Sequence, residues 1–293
     1  MKKIINFSAI MALLALQSCE EKGVVIDFGL KEGVKDTTYV STVPSAQSRN
    51  VLIEEFTGAS CTNCPAGHDA VTSLINSNPG RIVAIAYHTF NPGGVFKPVN
   101  DPGGKSLYDF RDTAATDIST NIFGGISSIP NAGIDRVPVS GSLQIGRAQW
   151  ASQTNTRLTV ASPANIDLTS NYSADQNLVN LKVKISYTQA VSKKNALTIG
   201  VLEDNIVDAQ LFVDSVDMNY VHNHIFRKCL TPYYGYTVLD SIATKTPGRV
   251  YEFNYVFKPK DNWKLENCKI VAILSNNEAS DKEVLQAQTV NLK

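Results

Sequence analysis

The stretch Val51-Leu52-Ile53-Glu54-Glu55-Phe56-Thr57-Gly58-Ala59-Ser60-Cys61-Thr62-Asn63-Cys64-Pro65 passes from a strand to a helix through a loop that carries two cysteines. Val51 to Phe56 is a short apolar run, the form taken by a strand buried on both faces. Thr57 to Ser60 is a loop. Proline suits the first turn of a helix, and from Pro65 onward Ala66, Ala70, Val71, Leu74 and Ile75 recur at helical spacing until Asn78-Pro79-Gly80 stops it. Arg81 to His88 reads as a second buried strand. Strand, helix and strand in so short a stretch form a βαβ unit, which predicts parallel pairing and a right-handed crossover.

Cys61 and Cys64 lie at the strand-to-helix junction, where the helix dipole and free N–H groups stabilise a thiolate. Cys61, the more exposed of the two, is the candidate nucleophile towards a substrate disulfide, and Cys64 is the candidate resolving thiol. The arrangement resembles the redox site of thioredoxin-like proteins. That resemblance implies that Glu55, six positions before Cys61, is a buried acid that moves the proton of Cys64. It also implies that Pro130, after Ile129, is a cis-proline whose backbone edge receives a substrate chain. Exchange needs an open sulfur, so burial of both cysteines would remove the mechanism. Two other readings use the same residues. One is a static disulfide that staples the loop. The other is a zinc site of Cys61, Cys64, His68 and His88, whose spacing matches no common zinc module.

Outward from this centre, Asp109 to Phe123 is predicted helical, Asn131 to Arg136 a short strand, and Ser142 to Thr154 a last helix. Beyond Ser162-Pro163 the segments 164–168, 178–187, 197–202, 250–257 and 269–274 are strand-like, with no convincing helix between them. The expected fold is therefore an α/β thioredoxin-like domain (49–160) followed by an all-β immunoglobulin-like sandwich (161–293). His222 and His224 alternate along an expected strand, with a structural role preferred to a metal site.

At the other end, Lys2 and Lys3 precede an apolar run from Ile4 to Leu16, too short to span a bilayer. Leu16-Gln17-Ser18-Cys19 resembles a lipobox. It predicts a signal peptide over 1–18, an acylated Cys19 and a tether over 19–48, with Thr37 to Val43 as an edge strand. Glu20 and Glu21 resemble a signal for display on the cell surface. Of the five cysteines, an acylated Cys19 leaves four. In an oxidising compartment this even number favours a structural disulfide between Cys229 and Cys268, with two free thiols as the alternative. Lys+Arg and Asp+Glu are both 27, which gives no basis for nucleic-acid binding.

Val51 to Gly58, then Cys61-x-Asn63-Cys64-Pro65-x-Gly67-His68, is similar to the signature of the Omp28-related outer-membrane lipoproteins of Bacteroidetes. His222-Asn223-His224-x-x-Arg227 is similar to that family as well, and the likeness covers residues 37 to 293. It implies a thioredoxin-like domain with a β-sandwich, anchored in the outer membrane through the lipid on Cys19. Its partners would be envelope or surface proteins, met as disulfide substrates or as binding partners. No cofactor and no metal is expected.

Overall fold

The computed structural model describes residues 33–90 and 94–293. The expected signal peptide, the lipid site Cys19 and the first part of the tether lie outside the described residues. The first half runs β1 (Gly33–Val40), β2 (Val51–Phe56), α1 (Cys64–Ser77), β3 (Ile82–Tyr87), β4 (Asn100–Asp101), β5 (Gly104–Lys105), α2 (Thr113–Asn121), β6 (Asn131–Ile134), β7 (Ile145–Gly146) and α3 (Trp150–Leu158). The second half is built of strands: β8 (Ala164–Ser173), β9 (Leu178–Tyr187), β10 (Asn195–Glu203), β11 (Ile206–Leu211), β12 (Val216–His222), β13 (Ile225–Cys229), β14 (Tyr236–Val238), β15 (Arg249–Phe257), β16 (Cys268–Asn276) and β17 (Val284–Asn291).

The βαβ expectation is met. β2 and β3 pair in parallel from Val51–Ile82 to Phe56–Tyr87, and β6 adds antiparallel on the other side of β2. Strand parity then sorts the apolar run. Val51 and Ile53 pack with Val71, Leu74 and Trp150 from α1 and α3. Leu52 and Phe56 pack with Ala115 and Ile118 of α2 on the opposite face. With both faces covered, the strand has no solvent side to mark with polar residues. The two adjacent glutamates are divided in the same way. Glu54 meets Arg136 in a buried fork, with both N–O distances 2.8 Å, while Glu55 faces α1. Asp112 caps α2, its Oδ1 accepting from the N–H groups of Ala114 and Ala115 at 2.7 and 3.2 Å.

Four strands in the order β1-β15-β9-β8 form one sheet. Leu181, Val183, Ile185 and Phe253 of that sheet share a core with Leu197, Ile199, Ile270, Ala272 and Leu274 of β10 and β16. The second layer does not end at the halfway point of the chain. A nine-stranded sheet runs β17-β16-β10-β13-β3-β2-β6-β7, with β14 also on β10. The junction is β13 beside β3, where Ile225 stands opposite Ala86 and His224 O accepts from Ala86 N at 2.8 Å. The expected boundary at 160/161 thus falls between halves that share one sheet.

Asp135 ties those halves together at a left-handed φ of 49°. Its Oδ1 accepts from Leu52 N at 2.8 Å, and its Oδ2 from Arg157 Nε at 2.9 Å and Arg49 Nη1 at 3.3 Å. Its backbone oxygen accepts from Val284 N of β17 at 2.8 Å.

Three expectations need correction. First, the tether is shorter than 19–48. Gly33 to Val40 pairs with β15 from end to end, and Gln47 N donates to Asn165 Oδ1 at 2.8 Å. Secondly, α3 begins at Trp150 rather than Ser142, because Ile145 and Gly146 first add β7 to the sheet. Thirdly, Cys229 and Cys268 are free thiols. Cys229 stands opposite Gly200 and Cys268 opposite Glu203, on strands that flank β10 from its two sides. Two strand spacings and three residues of rise put each separation near ~10 Å. A disulfide needs its Cα atoms within about 7 Å. An even count of cysteines carries no information about which strand lies between them.

Candidate functional site

The chain leaves β2 through a tight loop, in which Cys61 N donates to Gly58 O at 3.1 Å and Cys64 N to Cys61 O at 3.2 Å. Cys64 is the first residue of α1, with Pro65 in the first turn. Cys61 and Cys64 are joined as a disulfide, their Cα atoms 5.4 Å apart. The Ile129–Pro130 bond is cis, and both residues are half-buried.

Glu55 and Pro130 both press on α1 at Gly67. A Cβ at Gly67 would lie 2.6 Å from Glu55 Oε1 and 2.8 Å from the Pro130 Cβ, closer than real contacts allow. Glycine is what lets the helix approach both groups. Gly67→Ala is therefore expected to lower stability by about 1–3 kcal/mol, read from the urea midpoint, because neither a strand residue nor a proline ring can retreat freely.

Glu55 is 3% exposed, and its Oε1 has no hydrogen-bond partner among the described residues. Burial pushes its carboxyl well above the usual range and favours its protonated form. The nearest base, His68 Nε2, is 3.8 Å away. That imidazole is occupied. Its Nε2 is 2.8 Å from Thr57 Oγ1, and its Nδ1 is 2.6 Å from Tyr220 OH. Burial, followed by His222 and His224, lowers its pKa to about 3, so it is neutral.

The four histidines of the chain gather around this loop. His88 is buried at the end of β3, and His222 is buried at the end of β12. Their rings lie 5.2 and 4.9 Å from that of Phe110, with Tyr220 beyond His222 at 4.8 Å. His224 does not share a strand with His222, as alternation predicted. It occupies the turn after β12 at a φ of 58°, with its Nδ1 3.1 Å from Asp204. His68 projects from α1 towards the second half of the chain, where Tyr220 packs against it. With both its nitrogens taken and the sulfurs bonded to each other, the alternative four-ligand zinc set is not assembled.

The largest departure concerns access. Cys61 is 4% exposed and Cys64 is fully buried, so the first cysteine is not the open sulfur that the sequence led us to expect. The cover is the β11–β12 hairpin. Gln210 Nε2 donates to Cys61 O at 3.0 Å and lies 3.4 Å from Gly58 O, and Leu211 N donates to Ala59 O at 2.9 Å. These bonds occupy the carbonyls of the cysteine loop. Sequence reasoning missed Gln210 and Leu211 altogether. The only local hint was Tyr220-Val221-His222, a hairpin strand rich in groups that need partners.

The profile of the family described as outer membrane protein Omp28 matches residues 118–293. No curated protein matches the chain. Among solved structures, HBP35 of Porphyromonas gingivalis is 17% identical at a TM-score of 0.63, over 87% of this chain and 77% of that one. A protein of Agrobacterium tumefaciens is 12% identical at a TM-score of 0.54, over 85% of this chain and 97% of that one. At such identities the likeness concerns the fold alone.

Proposed function

The chain belongs to the Omp28 family of outer membrane proteins, and from that premise we propose that it carries out thiol–disulfide exchange on proteins of the envelope or cell surface. The unit of β2, α1, β3 and β6 is read as thioredoxin-like, the facing sheets as an immunoglobulin-like sandwich, and the membrane anchor as a lipid on Cys19. One observation carries the redox reading: the buried Oε1 of Glu55, with no hydrogen-bond partner among the described residues, lies against the helix that begins at Cys64. A staple has no use for such a group, which costs stability wherever it is buried unpaired.

The chemistry balances with residues of the chain alone. A substrate thiolate attacks the Cys61 sulfur, the Cys61–Cys64 bond breaks, and Cys64 leaves as a thiolate that takes the Glu55 proton. In the reverse direction the Glu55 carboxylate recovers that proton as Cys64 attacks the mixed disulfide on Cys61. Ile129-Pro130 is the edge along which the substrate chain would pair. In the conformation described both sulfurs are buried and exchange is blocked, so this reading applies only to a form in which the β11–β12 hairpin has lifted from the loop.

Burial of both sulfurs favours a second reading, in which the disulfide is structural and the protein binds a partner without redox chemistry. Titration of the thiols in graded redox buffers separates the two. The exchange reading expects a midpoint between about −270 and −120 mV, and a Cys64→Ser variant that retains envelope proteins as mixed disulfides on Cys61. A midpoint below about −300 mV, with nothing trapped, leaves the binding reading.

A further inference from the structure

Glu55 also forms the floor of a pocket that the exchange reading does not use. The pocket, of about 280 Å³, opens between α1 and the end of β12. Its wall is divided in character. Val71 and Val221 supply apolar surface, while Asp69, Thr72 and the Tyr220 ring supply polar and aromatic surface around the mouth. Asp69, Thr72 and Val221 are exposed, so the pocket is reached from solvent.

We propose that this pocket binds a primary alkylammonium group, its nitrogen on Glu55 and Asp69 and its alkyl stem between Val71 and Val221.

The charge of the lining supports a cation. No lysine or arginine lines the pocket. His68 is neutral, and His224 is met by Asp204 at 3.1 Å, outside the lining. The Tyr220 hydroxyl is pushed up by burial and then by neighbouring carboxyls, of which Asp69 also lines the pocket. Glu55 Oε1 is a buried acceptor with nothing to accept from, and an ammonium carries three donors. The ring of Tyr220 offers its face to the same charge. A volume of this size fits a short amine rather than a drug-sized ligand.

Binding has a proton balance of its own. Protonated Glu55 meets RNH₃⁺, loses its proton to solvent, and remains as a carboxylate paired with the ammonium. Affinity should therefore rise with pH up to the raised pKa of Glu55, because the bound state carries fewer protons on Glu55 than the free state. The proposal needs only the pocket and its carboxyl, and it stands whether or not the disulfide turns over.

The test is calorimetry on the purified full chain with n-butylammonium, with n-butanol as the neutral probe, in two buffers of different ionisation enthalpy. The expected result is saturable binding of the amine alone, with release of about one proton per amine bound near neutral pH. Glu55→Gln should weaken binding about tenfold or more. Val221→Arg, which places a fixed cation at the exposed mouth, should abolish it and covers the case in which Glu55→Gln fails to fold. Parallel titrations with 1,5-diaminopentane and with Nα-acetyl-lysine amide identify the source. Tighter binding of the lysine derivative assigns the site to a protein side chain, and tighter binding of the diamine assigns it to a free amine. Equal binding of butanol, an unchanged affinity in both variants, or the absence of proton release would overturn the proposal.

Discussion

Asp135→Ala is expected to lower the unfolding free energy by about 3–5 kcal/mol, a large part of the ~5–15 kcal/mol that holds a typical domain together. The carboxylate is fully buried and answers Arg49 and Arg157, which are themselves 2% and 7% exposed. Its removal leaves Arg49 without a carboxylate and Arg157 with Glu283 alone, and it leaves the Leu52 N–H, which it accepts at 2.8 Å, without a partner. Alanine also adds strain at a φ of 49°, where asparagine is tolerated far better. Asp135→Asn keeps an oxygen for Leu52 N and loses only the charge, so its cost should fall clearly below that of alanine. Urea unfolding of the two variants gives the comparison. Equal and small losses would mean that Arg49 is satisfied by its backbone acceptors, Val160 O, Ala161 O and Val284 O, and Arg157 by Glu283.

Acid should be the second large perturbation. His68, His88 and His222 are held neutral, chiefly by burial, with His68 lowered to about 3 and His222 to about 4. In the unfolded chain each takes a proton near pH 6.5, so three protons favour unfolding as the pH falls below that value. Glu55 acts in the opposite sense. Its raised pKa keeps a proton on the folded state, while the unfolded carboxyl stays ionised down to about 4.5. Three imidazoles against one carboxyl leave the unfolded chain with the greater uptake of protons, so stability falls as the pH drops below about 6.5. Thermal melts should therefore fall steeply from pH 7 to 5, with a shallower slope in His222→Phe. A flat profile over that range would show that these rings stay unprotonated without cost. Because Tyr220 and His222 belong to the hairpin over the cysteines, hydrogen exchange at Gln210 and Leu211 should accelerate first.

The parts that could be read in advance are those encoded locally. A six-residue run with four apolar members, a loop and a proline-started helix specify β2, α1 and β3, since each signal lies within one turn or one strand. Glu55 and Ile129-Pro130 were picked out by the resemblance to thioredoxin-like proteins, and the structure finds Glu55 buried and the Ile129–Pro130 bond cis. The hairpin over the cysteines was not legible. Ile206 to Leu211 is short, and its contact with Cys61 joins residues 149 apart in sequence. The pairing of β3 with β13 was hidden for the same reason, since a single bridge leaves no mark on local periodicity. Asp135 and Arg136 were passed over as the end of a strand, although consecutive charged residues just past a buried strand deserved a search for partners. The Cys229–Cys268 pairing failed because parity in number says nothing about position.

The sharing of β17 with the first half bears on when the molecule can be completed. Asn50 donates to Ala287 O at 3.1 Å, and Arg49 and Asp135 both hold Val284, so the environment of β2 contains residues made last. Synthesis delivers the N-terminal half first. A nascent chain can form the cysteine loop and α1 early, yet neither the cover over the sulfurs nor the clamp on Asp135 exists until the C-terminus emerges. During export the Cys61 and Cys64 thiols would thus meet their oxidant before their own protein can hide them.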